Sequence, residues 1–267
     1  MARPKTGVCP VCESTFEIGM PRQGGSRRTT YCSARCRALK WARAKRYKKY
    51  GITEDTFRQM LRTQQNRCAG CMSLFQSEEA AHIDHCHQTG KVRGLLCGHC
   101  NCALGFVKDS RANLYQLAAY LELDRSKPLV YVIGSLQNDQ IPVLGNEIRE
   151  AGFEVMDNWW AGGKTADATW QEYSRLRGRT YQEALRSREA EHTFYFDRAY
   201  LNLCSAGVLL CPAGRSAHLE LGYVKGLGKK AYILMEDQPE RYDVMAQFAT
   251  DVCHSRADLF EELEKLK

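Results

Sequence analysis

The stretch Cys68–Asn101 decides how the first half of this chain folds. It contains Cys68-Ala-Gly-Cys71, then His82-Ile-Asp-His-Cys-His87, and it ends with Cys97-Gly-His-Cys-Asn101. Two Cys-x-x-Cys pairs therefore bracket a segment dense in histidine and aspartate. Four thiolates at this spacing are typical of one tetrahedral structural zinc site. The sequence predicts that Zn²⁺ is bound by four cysteines: Cys68, Cys71, Cys97 and Cys100.

The segment between the cysteine pairs predicts a β-hairpin that leads into a helix. Gln88-Thr-Gly-Lys91 is a tight-turn signal between two short strand-like runs. Asp84 and His85 then lie on the first strand, and Asn101 lies in the first turn of the helix. This arrangement can face the three side chains into one cleft. The cleft suits phosphodiester hydrolysis, because a neutral histidine accepts a proton from water near pH 7. The oxygen donors of Asp84 and Asn101 suit Mg²⁺ or Mn²⁺.

The same segment resembles the recombination endonuclease VII branch of the HNH (His-Me finger) nucleases. The resemblance rests on the cysteine pairs, on Asp84-His-Cys-His87 and on Thr89-Gly-Lys-Val-Arg-Gly-Leu-Leu-Cys97, and it covers about residues 51–123. It implies a ββα-metal nuclease domain with His85 as general base and Asp84 and Asn101 as ligands of the catalytic metal. The family prototype has a carboxylate shortly after the asparagine, where this chain has Leu104. Metal affinity or DNA junction preference can therefore differ.

A second group of cysteines precedes this segment. Cys9-Pro-Val-Cys12 and Cys32-Ser-Ala-Arg-Cys36 predict another structural Zn²⁺ site and resemble treble-clef fingers, with a Gly- and Arg-rich loop from Pro21 to Thr30 between them. The alternative is two unrelated reduced pairs. From Arg35 to Lys49 the chain predicts a basic helix with interleaved aromatic residues, which is typical of a surface that binds DNA phosphates.

Composition and charge divide the chain into parts. It has 267 residues and 13 cysteines, and the paired Cys spacings predict zinc in a reducing cytoplasm of a bacterial or phage-infected cell. Neither a signal peptide nor a bilayer-spanning stretch is expected. Residues 1–127 carry 22 Lys+Arg against 10 Asp+Glu, and residues 128–267 carry 16 against 21. We predict a finger at 1–50, a nuclease domain at 51–127 and a third domain at 128–267, after the linker 124–128.

The sequence of the third domain predicts a parallel α/β sheet of the flavodoxin or Rossmann type. Apolar strands at 129–133, 153–156, 206–211 and 231–234 alternate with helical patterns, around a polar and aromatic insert at 157–179. Ligands of such sheets bind beyond the carboxyl ends of the strands. The predicted substrate-binding residues are Gly134, Ser135, Asp157, Trp159, Gly214, Arg215 and Ser216.

A second catalytic site is predicted after the strand at 206–211. Gly214 to Ser216 forms a loop, and a helix that begins at Ser216 offers an anion site through its free N–H groups and Arg215. Glu220 lies one turn further, where a carboxylate can attack a sugar anomeric carbon. The alternative is a surface or salt-bridged glutamate.

This second site resembles the nucleoside 2-deoxyribosyltransferase-like superfamily. The motif Ser216-Ala-His-Leu-Glu-Leu-Gly-Tyr223 carries the resemblance, which spans about residues 129–260. It implies Glu220 as nucleophile and Asp197 as an acidic residue at the reacting nucleoside. The transferases have a carboxylate near the position of Gly214, where this chain has Gly214-Arg-Ser216. This departure resembles the nucleotide N-glycosidase branch of the superfamily.

Three functions are compatible with these patterns. The first is a DNA endonuclease, selective for branched DNA or not, fused to a nucleotide N-glycosidase or deoxyribosyltransferase in a phage or anti-phage setting. In the second, the C-terminal domain senses a nucleotide or NAD-derived signal and gates the nuclease. The third is a non-catalytic zinc scaffold that binds DNA. The expected partners are DNA and a nucleotide or nucleoside, and a homodimer is compatible with the sequence.

Overall fold

The computed structural model describes residues 5–19, 30–239 and 242–267. The chain forms two compact units, an N-terminal unit, Met1–Asp109, and a C-terminal unit, Ser110–Lys267. Residues 20–29, which include all of the predicted Gly- and Arg-rich loop except Thr30, lie outside the described residues. Within the described residues, no helix has both the length and the apolar character that a bilayer crossing needs.

The N-terminal unit begins with a small finger. Its elements are, in chain order, β1 (Thr6–Val8), β2 (Thr15–Glu17) and α1 (Ala34–Lys49). The two strands pair antiparallel, and Phe16 packs in a small core with Cys9 and Cys36. Helix α1 begins after Ser33, whose hydroxyl accepts a hydrogen bond from the Cys36 backbone N–H. The predicted basic helix is therefore confirmed.

The rest of the N-terminal unit is a helix, a hairpin and a second helix. These are α2 (Glu54–Thr63), a 3₁₀ turn (Glu78–Ala80), β3 (His82–His85), β4 (Val92–Leu96) and α3 (Gly98–Phe106). Tyr47 at the end of α1 packs with Phe57, Ile83 and Leu95, so one core joins the long helix to the hairpin. The Cys97 side chain accepts from the Cys100 backbone N–H at the start of α3. The predicted strand–turn–strand–helix order is confirmed.

The C-terminal unit is a parallel sheet covered by helices on both faces. Its elements begin with α4 (Arg111–Glu122), β5 (Leu129–Ile133), α5 (Ile141–Glu150), β6 (Glu154–Met156), a 3₁₀ turn (Asn158–Gly162), α6 (Ala166–Leu176), α7 (Tyr181–Leu185) and α8 (Arg188–Leu203). They continue with β7 (Ala206–Leu210), α9 (Arg215–Gly226), β8 (Lys230–Leu234), a 3₁₀ turn (Val244–Phe248), β9 (Asp251–Cys253) and α10 (Arg256–Glu264).

The strand order in the described part of this sheet is β6-β5-β7-β8-β9, and every neighbouring pair is parallel. Strands β5 and β7 are buried along their whole length, as expected for a sheet with helices on both faces. One core contains residues of α4, α8 and α9, and the other contains residues of α5 and α10. The predicted parallel α/β architecture is confirmed.

The structure differs from the sequence prediction in three places. Helix α4, predicted inside the nuclease domain, packs on α8. Ala119 is buried there, and the Gln116 side chain hydrogen-bonds to Asn202 and to the Ala199 carbonyl. The compact units divide between Asp109 and Ser110, and the predicted domain boundary at 127/128 stays a prediction. The insert at 157–179 folds into a 3₁₀ turn and α6, and α9 begins at Arg215 instead of Ser216, with Gly214 as its N-cap.

Candidate functional site: two cysteine clusters, a nuclease cleft and an acid pair

Two groups of four cysteines come together among the described residues. In each group the four Sγ atoms lie within 4.8 Å of one another, close enough for a single metal ion. The members are those predicted from the spacing: Cys9, Cys12, Cys32 and Cys36 in the finger, and Cys68, Cys71, Cys97 and Cys100 around the hairpin. Both groups can therefore bind structural metal ions.

The thiols of the hairpin group differ in acidity. A hydrogen bond with the Ser73 hydroxyl is the main reason that the pKa of Cys71 falls to about 6. Burial, followed by hydrogen bonding with Cys71, raises the pKa of Cys100 to about 12. A bound metal would displace the remaining protons, because thiolates and not thiols are the ligands.

The hairpin also carries a network of charges. Arg93 on β4 donates from Nε and Nη2 to the two oxygens of Asp84 on β3, at 2.7 and 2.8 Å. The same Nη2 donates to Asp109 Oδ1 at 3.0 Å. His87 Nδ1 lies 3.3 Å from Asp109 Oδ2. The hydrogen bond from Arg93 is the main reason that the pKa of the Asp109 carboxyl lies below its usual range.

Asp109 is a residue that the sequence analysis missed. It follows α3 after a turn in which Lys108 and Asp109 both have positive φ, at 58° and 54°, and it thereby reaches back to the hairpin. A carboxylate is thus present near Asp84 even though Leu104 replaces the one expected soon after Asn101. In the sequence, Asp109 is recognisable only as an acidic residue directly before Ser110, the N-cap of α4. That position does not predict a contact between Asp109 and the hairpin.

His85 and Asn101 have side chains that no described residue engages through a hydrogen bond. The half-buried His85 ring makes edge contacts with the rings of Tyr50 and His87, with centroids 5.1 and 5.0 Å apart. Asn101 is half-buried in the first turn of α3. His82, on the same strand as His85, is exposed. The nitrogens of His85 and the amide of Asn101 are therefore available to a substrate, water or ion.

In the C-terminal unit, the half-buried carboxyl groups of Glu220 and Asp197 lie near the buried Tyr131. Burial raises the pKa of Glu220 on α9 to about 7, and the charge of Asp197 on α8 adds to the shift. Burial also raises the pKa of Asp197 to about 6. A hydrogen bond with Tyr131 acts in the opposite direction and offsets part of this increase. The other Asp197 oxygen is buried and has no hydrogen-bond partner among the described residues. Asp197 is thus close enough to Glu220 for its charge to raise the pKa of Glu220.

A cavity lies at the carboxyl ends of β5 and β7, where the sheet topology predicts a ligand site. Its volume is about 380 Å³, and it brings together the predicted residues Ser135 and Gly214. Gly134, next to Ser135, is required by close packing, because a Cβ there would lie 2.4 Å from Ile141 Cδ1. Arg215 and Ser216 are exposed in the first turn of α9.

Two residues predicted to bind substrate have packing roles. Asp157 is buried, and both of its oxygens accept hydrogen bonds from Arg149. Trp159 directs its indole N–H to the Val132 carbonyl at 2.8 Å, which fixes the ring against the sheet. Neither residue lines the cavity at β5 and β7. A substrate-binding role for Asp157 and Trp159 stays a prediction, since these contacts are made in the ligand-free chain.

Part of the chain matches a known family. Residues 43–123 match the family model of recombination endonuclease VII, so the match begins within α1 and extends past the N-terminal unit through α4. This segment is the endonuclease VII family domain of the chain. Gene 59 proteins of Mycobacterium phages L5 and D29 are each 38% identical to the chain over 86 residues, which is 32% of this chain. The chain spans about half the length of these curated relatives, 51% and 50%.

Two solved structures are also similar to parts of the chain. The ββα-Me type II restriction endonuclease Hpy99I has 21% identity and a TM-score of 0.21, covering 44% of this chain and 65% of that chain. The Clostridium botulinum CMP N-glycosidase BcmB has 14% identity and a TM-score of 0.33, covering 51% of this chain and 98% of that chain.

Proposed function

We propose that the N-terminal unit is a metal-dependent DNA endonuclease in which His85 is the general base. The observation that carries this proposal is the endonuclease VII family match, which covers Asp84, His85 and Asn101. The hairpin pairing passes from Asp84 with Gly94 to His85 with Val92, so Arg93 on β4 is the extra residue of a bulge. Arg93 reaches the Asp84 carboxylate at this bulge, next to His85.

His85 has the surroundings that a general base needs. Tyr50 and His87 contact the edge of its ring and restrict its orientation. Its nitrogens are not engaged by any described residue, so one of them can accept a proton from an attacking water. Imidazole is neutral over part of the range near pH 7, which makes this transfer feasible at physiological pH.

Asp84 and Asn101 fit a hard divalent cation such as Mg²⁺ or Mn²⁺. Arg93 takes up one lone pair on each Asp84 oxygen, so each oxygen keeps another. The Asn101 amide oxygen is uncommitted among the described contacts. A bound cation would neutralise charge on the phosphate and the leaving oxygen. Arg93 fixes the direction in which the Asp84 carboxylate faces.

One face of α1 fits the DNA backbone. Lys40 pairs with Glu54, Arg43 pairs with Glu78 and Glu79, and Arg46 contacts the Glu78 and Ala81 carbonyls, so these three cations are engaged within the unit. The remaining exposed residues include one row spaced by four, four and three positions, which places them on a single helix face: Arg37, Trp41, Lys45 and Lys48. We assign phosphate binding to this row, and the four-cysteine groups then hold structural Zn²⁺ that keeps α1 in place.

Cleavage of branched and linear DNA by the zinc-loaded chain tests the endonuclease proposal. With Mg²⁺ or Mn²⁺ added, wild type should cut. Asp84→Asn and Asn101→Ala should require more of the added metal and should retain their full zinc content. DNA binding without cleavage in any divalent metal would favour the scaffold function instead. Comparing branched with linear substrates shows whether the enzyme selects junctions.

We further propose that the C-terminal unit cleaves the N-glycosidic bond of a nucleotide, with Glu220 as nucleophile. The supporting observation is the pairing of Glu220 with Asp197 beside an anion-binding helix start, because two neighbouring carboxyls can divide the work of attack and of assistance. Ionised Glu220 attacks C1′ and forms an ester. The bond from C1′ to the base breaks, and the base leaves with the electron pair and is protonated from solvent, while Asp197 assists at the base or at the water that resolves the ester. Water then hydrolyses the ester.

Phosphate binding would orient the sugar for this attack. Arg215, Ser216 and the N–H groups at the start of α9 offer an anion site one helical turn before Glu220. Orientation by a remote phosphate raises the rate as well as the affinity. Release of free base from nucleotides, absent in Glu220→Gln, is the expected result. Tight binding of a nucleotide or NAD-derived molecule without base release would favour a sensor that gates the nuclease.

A further inference from the structure

A second imidazole lies beside the proposed general base. The ring of His87 meets the ring of His85 edge to face, with centroids 5.0 Å apart and planes inclined by 74°. The His87 side chain is 63% exposed, so solvent and substrate can reach it. The attacking and leaving oxygens of a phosphodiester lie on opposite sides of the phosphorus. One phosphodiester can therefore contact both imidazoles, and the proposed role of His85 concerns the attacking oxygen alone.

Asp109 holds the ring of His87 from behind. Asp109 Oδ2 is buried and accepts no hydrogen bond from the described residues, and His87 Nδ1 lies 3.3 Å from it, within ion-pair distance. A proton on Nδ1 gives this oxygen its partner. Arg93 donates to the other oxygen, Oδ1, at 3.0 Å and so keeps the carboxylate in place. A carboxylate at one ring nitrogen fixes the tautomer, and it leaves Nε2 of His87 directed away from Asp109.

The same carboxylate favours a positive charge on His87. The hydrogen bond from Arg93 is the largest cause of the lowered pKa of Asp109, burial opposes it, and the charges of Arg93 and of protonated His87 lower that pKa further. This attraction is mutual, so Asp109 stabilises the imidazolium form of His87. The His85 ring instead contacts the rings of Tyr50 and His87. Two imidazoles in different surroundings can divide the roles of base and acid.

We propose that His87 is the general acid that protonates the leaving oxygen and that Asp109 positions it, an inference that rests on the endonuclease function proposed above. Water attacks the phosphorus and gives a proton to His85. The bond from phosphorus to the leaving oxygen breaks, and that oxygen keeps the electron pair and takes the proton from Nε2 of His87. His87 then regains a proton from solvent, and His85 releases one to solvent.

Sulfur substitution in the DNA isolates this step. The ends of the wild-type products show where the full, zinc-loaded chain cuts and which oxygen leaves. A second substrate then carries sulfur in place of that oxygen, and because thiols are far more acidic than alcohols, the thiolate leaves without a proton. Single-turnover rates with Mg²⁺ are measured on both substrates. Each variant is compared with wild type on the same substrate, so that effects of sulfur on the metal cancel.

The two histidines should respond differently to the sulfur. His87→Ala should cut the oxygen substrate about a hundredfold more slowly, as the loss of general acid catalysis does, and should cut the sulfur substrate at nearly the wild-type rate. His85→Ala should remain slow on both substrates, because it removes the base and not the acid. His99→Ala, at an exposed histidine of α3, is the control and should cut both as wild type does. DNA affinity and zinc content of His87→Ala should be normal.

Asp109→Asn tests the positioning role, since it removes the charge with little change in shape. It should slow cleavage of the oxygen substrate, and sulfur should restore the rate, because Asp109 acts through His87. Added to His87→Ala, it should slow the reaction no further. Equal slowing on both substrates would show a structural role and would overturn the assignment of Asp109.

Two results would overturn the role of His87. One is cleavage of the oxygen substrate by His87→Ala at the wild-type rate, and the other is a slow His87→Ala whose rate sulfur does not restore. Either result leaves the endonuclease proposal standing, because wild type still cuts. Absence of cleavage by wild type would overturn both proposals.

Discussion

Arg93 and Asp84 form a two-point ion pair across the hairpin, with Nε and Nη2 of the arginine 2.7 and 2.8 Å from the two carboxylate oxygens. The pair ties β4 to β3 at the site of the proposed nuclease chemistry. Asp84 is 8% exposed, so Arg93 replaces water as the hydrogen-bond partner of its carboxylate. A buried carboxylate that loses its partner is costly.

Arg93→Met should therefore destabilise the N-terminal unit by about 1–3 kcal/mol. Thermal unfolding of the zinc-loaded chain measures this loss. Lys91→Met is the matched control, since it removes a cation from the same hairpin whose side chain has no described partner, and it should have little effect. Equal stability of Arg93→Met and Lys91→Met would show that the ion pair does not hold the hairpin.

The two cysteine groups predict a zinc content of two per chain. Cys12→Ser should remove one ion, and Cys71→Ser should remove the other, because each group has its own four ligands. Metal binding contributes directly to the folding free energy of small metal domains. Elemental analysis of the purified variants is the measurement, and Cys86→Ser is the control because Cys86 lies outside both groups. Loss of both ions in either single variant would argue against independent sites.

The acid pair predicts how stability changes with pH. The pKa of Glu220 rises from 4.5 to about 7 on folding, so the folded chain holds a proton that the unfolded chain has released between those values. Wild type should lose stability relative to Glu220→Gln as the pH rises through this window, by at most about 3 kcal/mol, and the difference should be constant above it. Thermal midpoints of both proteins from about pH 5 to about pH 8 measure the difference. A difference that does not change with pH would contradict the burial of Glu220.

The exposed row on α1 predicts a specific loss of DNA affinity. Arg37→Gln, Lys45→Gln and Lys48→Gln together should weaken binding and lower the salt slope by about 0.9 for each phosphate that the helix no longer neutralises. Lys40→Gln, whose lysine pairs with Glu54, is the control at a cation that is already engaged. Fluorescence anisotropy at several salt concentrations gives both quantities. If Lys40→Gln alone weakened DNA binding by one third of the free energy lost in the triple variant, each cation would contribute equally. The total charge of the helix, and not this face, would then govern binding.

The sequence predicted the two four-cysteine groups and the sheet well because both depend on local patterns. Ligand spacing determines which cysteines can share an ion, and unbroken apolar runs such as Leu129–Ile133 predict strands that are buried on both sides. The turn before Lys91 likewise predicted the hairpin that carries Asp84 and His85.

The contacts that the sequence did not predict are made through tertiary packing. The Asp109 contact with the hairpin depends on a turn with two positive φ angles. Asp157 follows a strand as a ligand-binding residue often does, but its carboxylate is taken by Arg149 eight residues earlier. Helix α4 joins the C-terminal unit because its partner α8 is about 80 residues away. Local patterns do not report which distant surface a side chain meets.

The central claim is that His85 is the general base of a DNA endonuclease, and one comparison tests it most directly. Single-turnover cleavage of branched DNA with Mg²⁺ is measured for wild type, His85→Ala and His99→Ala, where His99 is an exposed histidine of α3. We predict that His85→Ala cuts about a hundredfold or more slowly while binding DNA and two zinc ions normally, and that His99→Ala cuts as wild type does. Cleavage by His85→Ala at the wild-type rate would contradict the account.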